Sequence, residues 1–290
     1  MKEFKHKVAV ITGAGSGIGR AIAERFARQG MRIVLADVEE LALSNAESEL
    51  RNMGTKVIGV LTDVSNAEDV ERLARKSIET FGAVHILCNN AGVFGDFAPS
   101  WRQTLKDWEW VLGVNLWGVI HGIRTFVPIM LDQGEEAHIV NTASVAGLFS
   151  MPLVSLYHVT KGAIIILSES LYHELLLQNA KLKVSVLCPG MVKTKFMESE
   201  RNRPTHLQPD EKARTEIEEV WSDAYSEFIS HGMTPEEVAD HTINAIREEK
   251  FYVFPNPQPL EIVRSRMEAI LEQSNPKLHL TDAMKKRLLI

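Results

Sequence analysis

At 290 residues, with 45% hydrophobic side chains and a formal net charge of −6, the chain suits one large α/β domain with a sizeable core, and its acidic balance argues against a nucleic-acid partner. Its two cysteines, Cys88 and Cys188, lie in the apolar runs HILCNN and VSVLCPG, which reads as buried thiols in a reducing compartment and not as a disulfide framework. The start, MKEFKHKVAVITG, has too short an apolar run for a signal peptide, and no stretch approaches the ~18 apolar residues of a membrane span, so the expectation is a cytoplasmic protein.

In chain order, short β-branched runs alternate with helical patterns. The strand runs are KVAVIT, MRIVLAD, KVIGVLTD, VHILCNN, HIVNTAS, KVSVLCPG and FYVFPN. They are apolar almost throughout, as parallel strands covered on both faces are. Ile18, Ile22 and Phe26 share a helix face that stops at Gly30. Ser65 with Glu68 reads as a capping box for a helix carrying Val70, Leu73 and Ile78. Thr234-Pro235-Glu236-Glu237 opens another helix with a cap, a first-turn proline and a glutamate at the third position. The pattern predicts a doubly wound parallel α/β sheet of about seven strands, helices on both faces, with ligands at the carboxyl ends of the strands. Residues 195–231, between the sixth and seventh strands, differ. Their first half is polar, with Glu198, Glu200, Arg201, Asn202 and Arg203, and is interrupted by Pro204 and Pro209. Their second half carries Trp221, Tyr225 and Phe228 at helical spacing. The segment reads as a substrate lid, too polar in its first half to be rigid alone; the alternative is a permanently packed surface ornament. The expected organisation is one domain over residues 1–290, with this insertion and a C-terminal extension after about residue 258.

The first strand runs through Thr12-Gly13-Ala14-Gly15-Ser16-Gly17-Ile18-Gly19 straight into a helix. Glycines let the backbone approach a pyrophosphate, and the helix N-terminus offers free N–H groups and a positive dipole end. The strict G-x-G-x-x-G spacing is not met, because Ile18 stands where it requires glycine. The second strand ends at Asp37, placed to accept hydrogen bonds from both adenosine ribose hydroxyls and to repel a 2′-phosphate, which favours NAD over NADP. The third strand ends Thr62-Asp63-Val64, suited to an adenine contact. The structural alternatives are a tight strand–helix turn for the glycines, a helix cap for Asp37 and a loop start for Asp63.

Tyr157 and Lys161, four residues apart in Tyr157-His158-Val159-Thr160-Lys161, share one helix face. An ammonium there favours phenolate and lowers the tyrosine pKa from ~10 toward working pH, so that it exchanges a proton with an alcohol or alkoxide. Of the tyrosines 157, 172, 225 and 252, only Tyr157 has a lysine at that offset. Ser144, closing Asn141-Thr142-Ala143-Ser144, could polarise a substrate oxygen or merely form a turn. Asn115, polar within an apolar helix, needs a partner; it could hold a water that relays protons to Lys161, or be a satisfied core asparagine.

These residues, with Asn89-Asn90-Ala91-Gly92 and Pro189-Gly190, stand in the order and spacing of the short-chain dehydrogenase/reductases, which the chain closely resembles over about residues 5–195. The resemblance implies a Rossmann fold, an NAD cofactor and hydride transfer between a secondary alcohol and a ketone. It implies a tetrad of Asn115, Ser144, Tyr157 and Lys161. It also implies cofactor contacts from Gly13, Ser16, Gly17, Ile18, Gly19, Asp37, Asp63, Val64, Asn90 and Gly92, with Tyr157 and Lys161. Val192 and Thr194 would contact the carboxamide side. Ser16 and Val38 stand where NADP-using relatives carry basic residues, which resembles the NAD-preferring subgroup. The segments DWEWVLGVNLWGVIHGIRTFVP and FYVFPNP resemble bacterial relatives that oxidise benzylic alcohols of aryl ethers. Phe94, Val145, Leu153, Met191, Phe196 and Trp221 are apolar and suggest a lipophilic or aromatic substrate. No metal site is expected. Helices over 108–131 and 157–177, apolar around much of their circumference, imply a homotetramer or homodimer. The competing reading is an NAD-binding scaffold without turnover, which would have no need of Tyr157 and Lys161 together.

Overall fold

Strands and helices alternate along the chain: β1 (Val8–Thr12), α1 (Gly17–Arg28), β2 (Arg32–Asp37), α2 (Glu40–Asn52), β3 (Val57–Leu61), α3 (Ala67–Phe81), β4 (Ile86–Asn89), α4 (Leu105–Leu112), α5 (Gly118–Asp132), β5 (Ala137–Thr142), α6 (Ser155–Leu177), β6 (Leu182–Leu187), α7 (Glu216–Ser230), α8 (Pro235–Glu248), β7 (Tyr252–Val253) and α9 (Leu260–Leu271). This computed structural model describes residues 1–208, 215–256 and 260–278. Pro209 and residues 257–259 and 279–290 of the C-terminal extension lie outside the described residues.

All seven strands are parallel, in the order β3-β2-β1-β4-β5-β6-β7. The order reverses between β1 and β4, and a crevice opens there at the strand ends. Alternate residues of a strand face opposite layers, which is why the strand sequences look continuously apolar. Ala9, Ile11, Ile33 and Leu35 pack against Ile22, Phe26, Leu50 and Ile246 of α1, α2 and α8. Val8, Val10, Val34 and Ala36 pack against Leu73, Phe126, Met130 and Leu171 of α3, α5 and α6. Each such large side chain contributes about 1.5–3 kcal/mol of burial, so the double-sided core fixes the strand ends that carry the site.

Two local readings change. The cap of α3 is Asn66, whose side chain accepts from the Glu68 and Asp69 amides, and not Ser65. Ser65 instead donates to Asp63, which begins a turn of its own. The expected capping box at Thr234 and Glu237 is present, with Pro235 in the first turn of α8.

The second change concerns α4 and α5, joined by a π-helical turn (Gly113–Trp117) into one helical run. That run, Leu105–Asp132, is long and apolar enough to cross a bilayer by length and composition, where no such stretch was expected; a third (33%) of its most apolar window is buried. Val111, Val119, Phe126 and Met130 face the core, which is how a core helix behaves. Trp117, the last residue of the π-helical turn, and Val159, Ile166 and Leu177 on α6 stay exposed.

Candidate active site

The strand ends open into a cleft of about 1190 Å³, more than the ~300–1,000 Å³ of a typical single-ligand pocket. At one end is the glycine loop. Gly13 has φ +64°, and a Cβ there would lie 2.8 Å from the Ala91 Cα. At Gly19 a Cβ would fall 2.2 Å from the Gly13 carbonyl oxygen. Only glycine fits either position, and the close packing holds α1 with its N-terminus toward the cleft. Ser16 is the N-cap of α1 and makes no side-chain cap bond, leaving first-turn N–H groups for a ligand.

Asp37, at the end of β2, accepts from the Gly15 amide (2.8 Å) and the Glu39 amide (3.0 Å). Burial pushes its carboxyl pKa up, against those amides, which favour the charged form. Asp63 is tied locally to Ser65, and Val64 is buried in the cleft wall. Asn90 works mainly as a brace. Its amide donates to the Thr12 carbonyl (3.1 Å) and its oxygen accepts from Thr142 (3.3 Å), which fastens the ends of β1, β4 and β5 together.

Tyr157 and Lys161, in the first turns of α6, face the cleft beside Ser144. The Lys161 Nζ donates to the Thr142 carbonyl (2.9 Å) and lies 5.7 Å from the centre of the Tyr157 ring. The expected lowering of the tyrosine pKa by this lysine does not occur. Burial pushes Tyr157 up to about 12, with a hydrogen bond from Ser144 acting against it. Burial also draws Lys161 down to about 8. In so dry a site desolvation outweighs a cation held to the side of the ring. The Ser144 Oγ accepts from the Ala146 amide (3.1 Å) and donates toward the Pro189 carbonyl (3.3 Å).

Asn115 lies in the π-helical turn, fully buried behind the cleft. Its oxygen accepts from the Val93 amide (2.8 Å), and its amide donates to the Val93 carbonyl (2.9 Å) and the Thr160 hydroxyl (3.2 Å). Both side-chain protons are therefore used within the protein. A Cβ on Gly92 would lie 3.4 Å from the Asn115 Oδ1 and 3.5 Å from the Lys161 Nζ, so the missing side chain leaves a gap that both groups border.

The family model for short chain dehydrogenase matches residues 7–205. The chain belongs to the short-chain dehydrogenase family. It is an oxidoreductase of that family, and it is similar over its whole length to several members. A short-chain dehydrogenase/reductase from Burkholderia phymatum, crystallised in complex with NAD, is 47% identical, with a TM-score of 0.94 over 97% of this chain and 100% of that one. A CLA biosynthesis dehydrogenase/reductase of Lactiplantibacillus plantarum is 30% identical over 98% of this chain and 100% of that protein. A C alpha-dehydrogenase of Sphingobium sp. is 33% identical over 95% of this chain and 89% of that protein.

In this short-chain dehydrogenase the expected site residues Gly13, Ser16, Gly17, Ile18, Asp37, Asp63, Val64, Asn90, Gly92, Ser144, Tyr157, Lys161, Val192 and Thr194 all line the cleft; Gly19 and Asn115 stand behind its wall. Thr194 reaches over the glycine loop, since a Cβ on Gly17 would meet its Cγ2 at 3.1 Å. Of the apolar candidates, Val145, Met191 and Phe196 line the cleft. Phe94, Leu153 and Trp221 do not; they form a buried cluster that backs the wall. Phe149, Met151 and Tyr225 line it instead, joined by Ile262 and Leu278 from the C-terminal extension. Nothing in the sequence pattern singled out Phe149, Met151 or Leu278, because loop residues carry no periodicity, or Ile262, because a helix face does not reveal what it packs against.

The polar first half of the 195–231 insertion is docked, against expectation. Phe196 and Met197 pack on the Phe94 cluster, and the Ser199 hydroxyl accepts from the Phe94 amide (3.0 Å). Arg203 is buried, paired with Asp107 (2.7 Å) and stacked on Trp110 (4.5 Å). Arg201 (2.6 Å) and Asn202 (2.9 Å) both bind Glu39, two residues past Asp37. Burial works to raise the Glu39 pKa, but these partners outweigh it and hold the carboxyl below its usual range. The charges that made the segment look loose are the groups that fasten it across the cleft. At the start of α7, buried Glu218 pairs with Arg102 (3.0 Å).

Proposed function

We propose that the chain is an NAD-dependent dehydrogenase interconverting a secondary alcohol and a ketone, with Tyr157 as general acid and base. The observation that carries this reading is the convergence of Ser144, Tyr157 and Lys161 on one wall of a cleft whose far end is the glycine loop and Asp37. The chain's residues suit NAD: free amides at the start of α1 for the pyrophosphate, and at Asp37 a carboxylate for the ribose hydroxyls. A 2′-phosphate against Asp37 would set like charges together in a partly dry site. The Burkholderia relative's complex with NAD adds support. Gly13, Ser16, Gly17, Ile18, Asp63, Val64, Val192 and Thr194 complete the binding set, with Gly19, Asn90 and Gly92 shaping it.

In oxidation Tyr157 accepts the alcohol proton while the C–H bond breaks, its electron pair leaving as hydride, and the C=O bond forms. When bound, NAD supplies the hydride acceptor and, in its oxidised form, a positively charged ring. Added positive charge in this dry site favours the phenolate that the chain alone disfavours. The Ser144 hydroxyl, by turning from Pro189, donates to the reacting oxygen. Asn115 fixes the gap beside Gly92, where a water could pass the proton on from Lys161.

The aromatic and thioether lining suits a lipophilic, aromatic substrate. Residues 195–231 act as a lid, ordered fully when cofactor and substrate are bound, and residues 1–290 work as one domain with the C-terminal extension closing the cleft. The exposed apolar residues Trp117 of the π-helical turn and Val159, Ile166 and Leu177 of α6 fit a homodimer or homotetramer; a monomeric mass by light scattering at micromolar concentration counts against it. The deciding experiment is a panel of secondary alcohols and ketones followed by NADH absorbance. Absence of turnover throughout, with NAD bound, would leave the scaffold reading standing.

A further inference from the structure

Tyr225, on α7, lines the cleft beside Phe196 and Met151, and its hydroxyl has no oxygen or nitrogen partner among the described residues. Its ring is locked in place. Phe97 meets it edge-on at 5.2 Å, Phe94 lies 6.0 Å away and Trp221 6.4 Å. The hydroxyl meets only the Met151 sulfur, at 3.8 Å. A thioether is a weak acceptor, so this long contact satisfies the hydroxyl poorly. Buried phenols usually find a better partner. In the same chain the Tyr252 hydroxyl donates to Glu169 at 2.6 Å. Burial pushes the Tyr225 pKa well up and a charge on Tyr157 pushes it further, so Tyr225 stays a protonated donor, and both tyrosines line the same cleft.

We infer that Tyr225 is a substrate-positioning residue whose hydroxyl donates to a second oxygen of the substrate, so that the substrate is an aromatic alcohol or ketone with another oxygen acceptor near its reacting carbon. The inference rests on Tyr157 being the reacting group. The surroundings match this chemistry. Phe94 (5.5 Å) and Phe196 (5.5 Å) flank the Tyr157 ring, and Phe149 and Met151 continue the wall, so Tyr225 is a donor set into an otherwise apolar surface. A donor so placed discriminates by what is left unpaired: a substrate lacking the second oxygen buries the phenol without an acceptor.

The test compares benzil, with two adjacent carbonyls, with deoxybenzoin, with one. Wild type and Tyr225→Phe are titrated with each ketone by calorimetry in the presence of NAD, and kcat and KM are measured with NADH. Wild type is expected to favour benzil, and Tyr225→Phe, which keeps the ring packing, to shrink the benzil-to-deoxybenzoin ratio about tenfold, or about 1.4 kcal/mol, through affinity and KM more than kcat. A role in packing alone would move both ketones together and leave the ratio within about twofold, which overturns the inference. Failure of wild type to bind either ketone overturns it as well. The reading of Tyr157 fails separately, if Tyr157→Phe still reduces the ketones that wild type reduces.

Discussion

The two ends of the cleft are built on different principles. The cofactor end is made by backbone at strand termini: two glycines that admit no Cβ, a helix N-terminus, and Asp37 held by two amides. The substrate end is made by side chains from segments far apart in sequence, with Phe149 and Met151 after β5, Phe196 and Tyr225 in the insertion, and Ile262 in the extension. Backbone at a strand end is positioned by the whole sheet and serves any substrate. Side chains on loops are positioned by their mutual packing and can be exchanged without disturbing the sheet. On the proposed function, the difference makes cofactor binding and specificity separable, and the Glu39 contacts with Arg201 and Asn202 are the link between the two ends.

The largest expected effect is at the junction of the two ends. Tyr157→Phe should lower turnover by ~10²-fold or more while NAD still binds, as calorimetry would register. Turnover within a few-fold of wild type would break the division, because the substrate end would then be doing the chemistry.

The pH response follows next. Burial raises Tyr157 to about 12 and lowers Lys161 to about 8, so in the chain alone both groups hold their protons at neutral pH and Lys161 loses its own first as pH rises. Oxidation needs the phenolate, so its kcat/KM should rise up to about tenfold per pH unit below the apparent pKa of the coupled pair. Reduction needs the protonated tyrosine, so it should be level below that pKa and fall up to about tenfold per pH unit above it. Profiles in both directions between about pH 6 and pH 10 check this, and parallel slopes would contradict it.

A smaller effect is expected at Asp37, purely within the cofactor end. Wild type should prefer NAD to NADP by at least ~10-fold in kcat/KM, more than about 1.4 kcal/mol, and Asp37→Ser should shrink that preference without changing the preference among ketones. Equal use of both cofactors by wild type would refute it.

The smallest sharpens the link between the ends. Glu39→Gln keeps the shape and removes the charge that Arg201 and Asn202 hold. Because the pair is partly exposed, the loss should stay under about 1 kcal/mol, seen as faster amide exchange over residues 195–208 and a rise of a few-fold in KM for NAD. In the unsubstituted enzyme, exchange over residues 195–231 should slow further when NAD and substrate are both present. Exchange already slow and indifferent to ligands would make the segment an ornament.

Particular residues show what was legible beforehand. The parallel sheet was, because Val8 to Thr12 and Arg32 to Asp37 bury both faces and so must be continuously apolar. Asn66 was missed as the α3 cap for the neighbouring Ser65, a one-residue ambiguity that local spacing cannot settle, since either side chain can accept an amide. Phe94 and Trp221 were expected in the cleft and are packed behind it, because apolar character marks burial without saying which side of a wall a residue takes. Arg203 counted only as part of a polar stretch and is buried, because its partners Asp107 and Trp110 are nearly a hundred residues away in the chain.

By itself, then, the sequence determined the sheet, the glycine turn and the one tyrosine with a lysine four residues on, since each depends on spacing along a single strand, turn or helix. Only the tertiary structure decided which aromatic rings face the cleft, that the polar insertion is fastened down, and that Tyr157 is drier than its lysine can offset. Those outcomes depend on desolvation and on contacts between distant segments, and neither has a period along the chain.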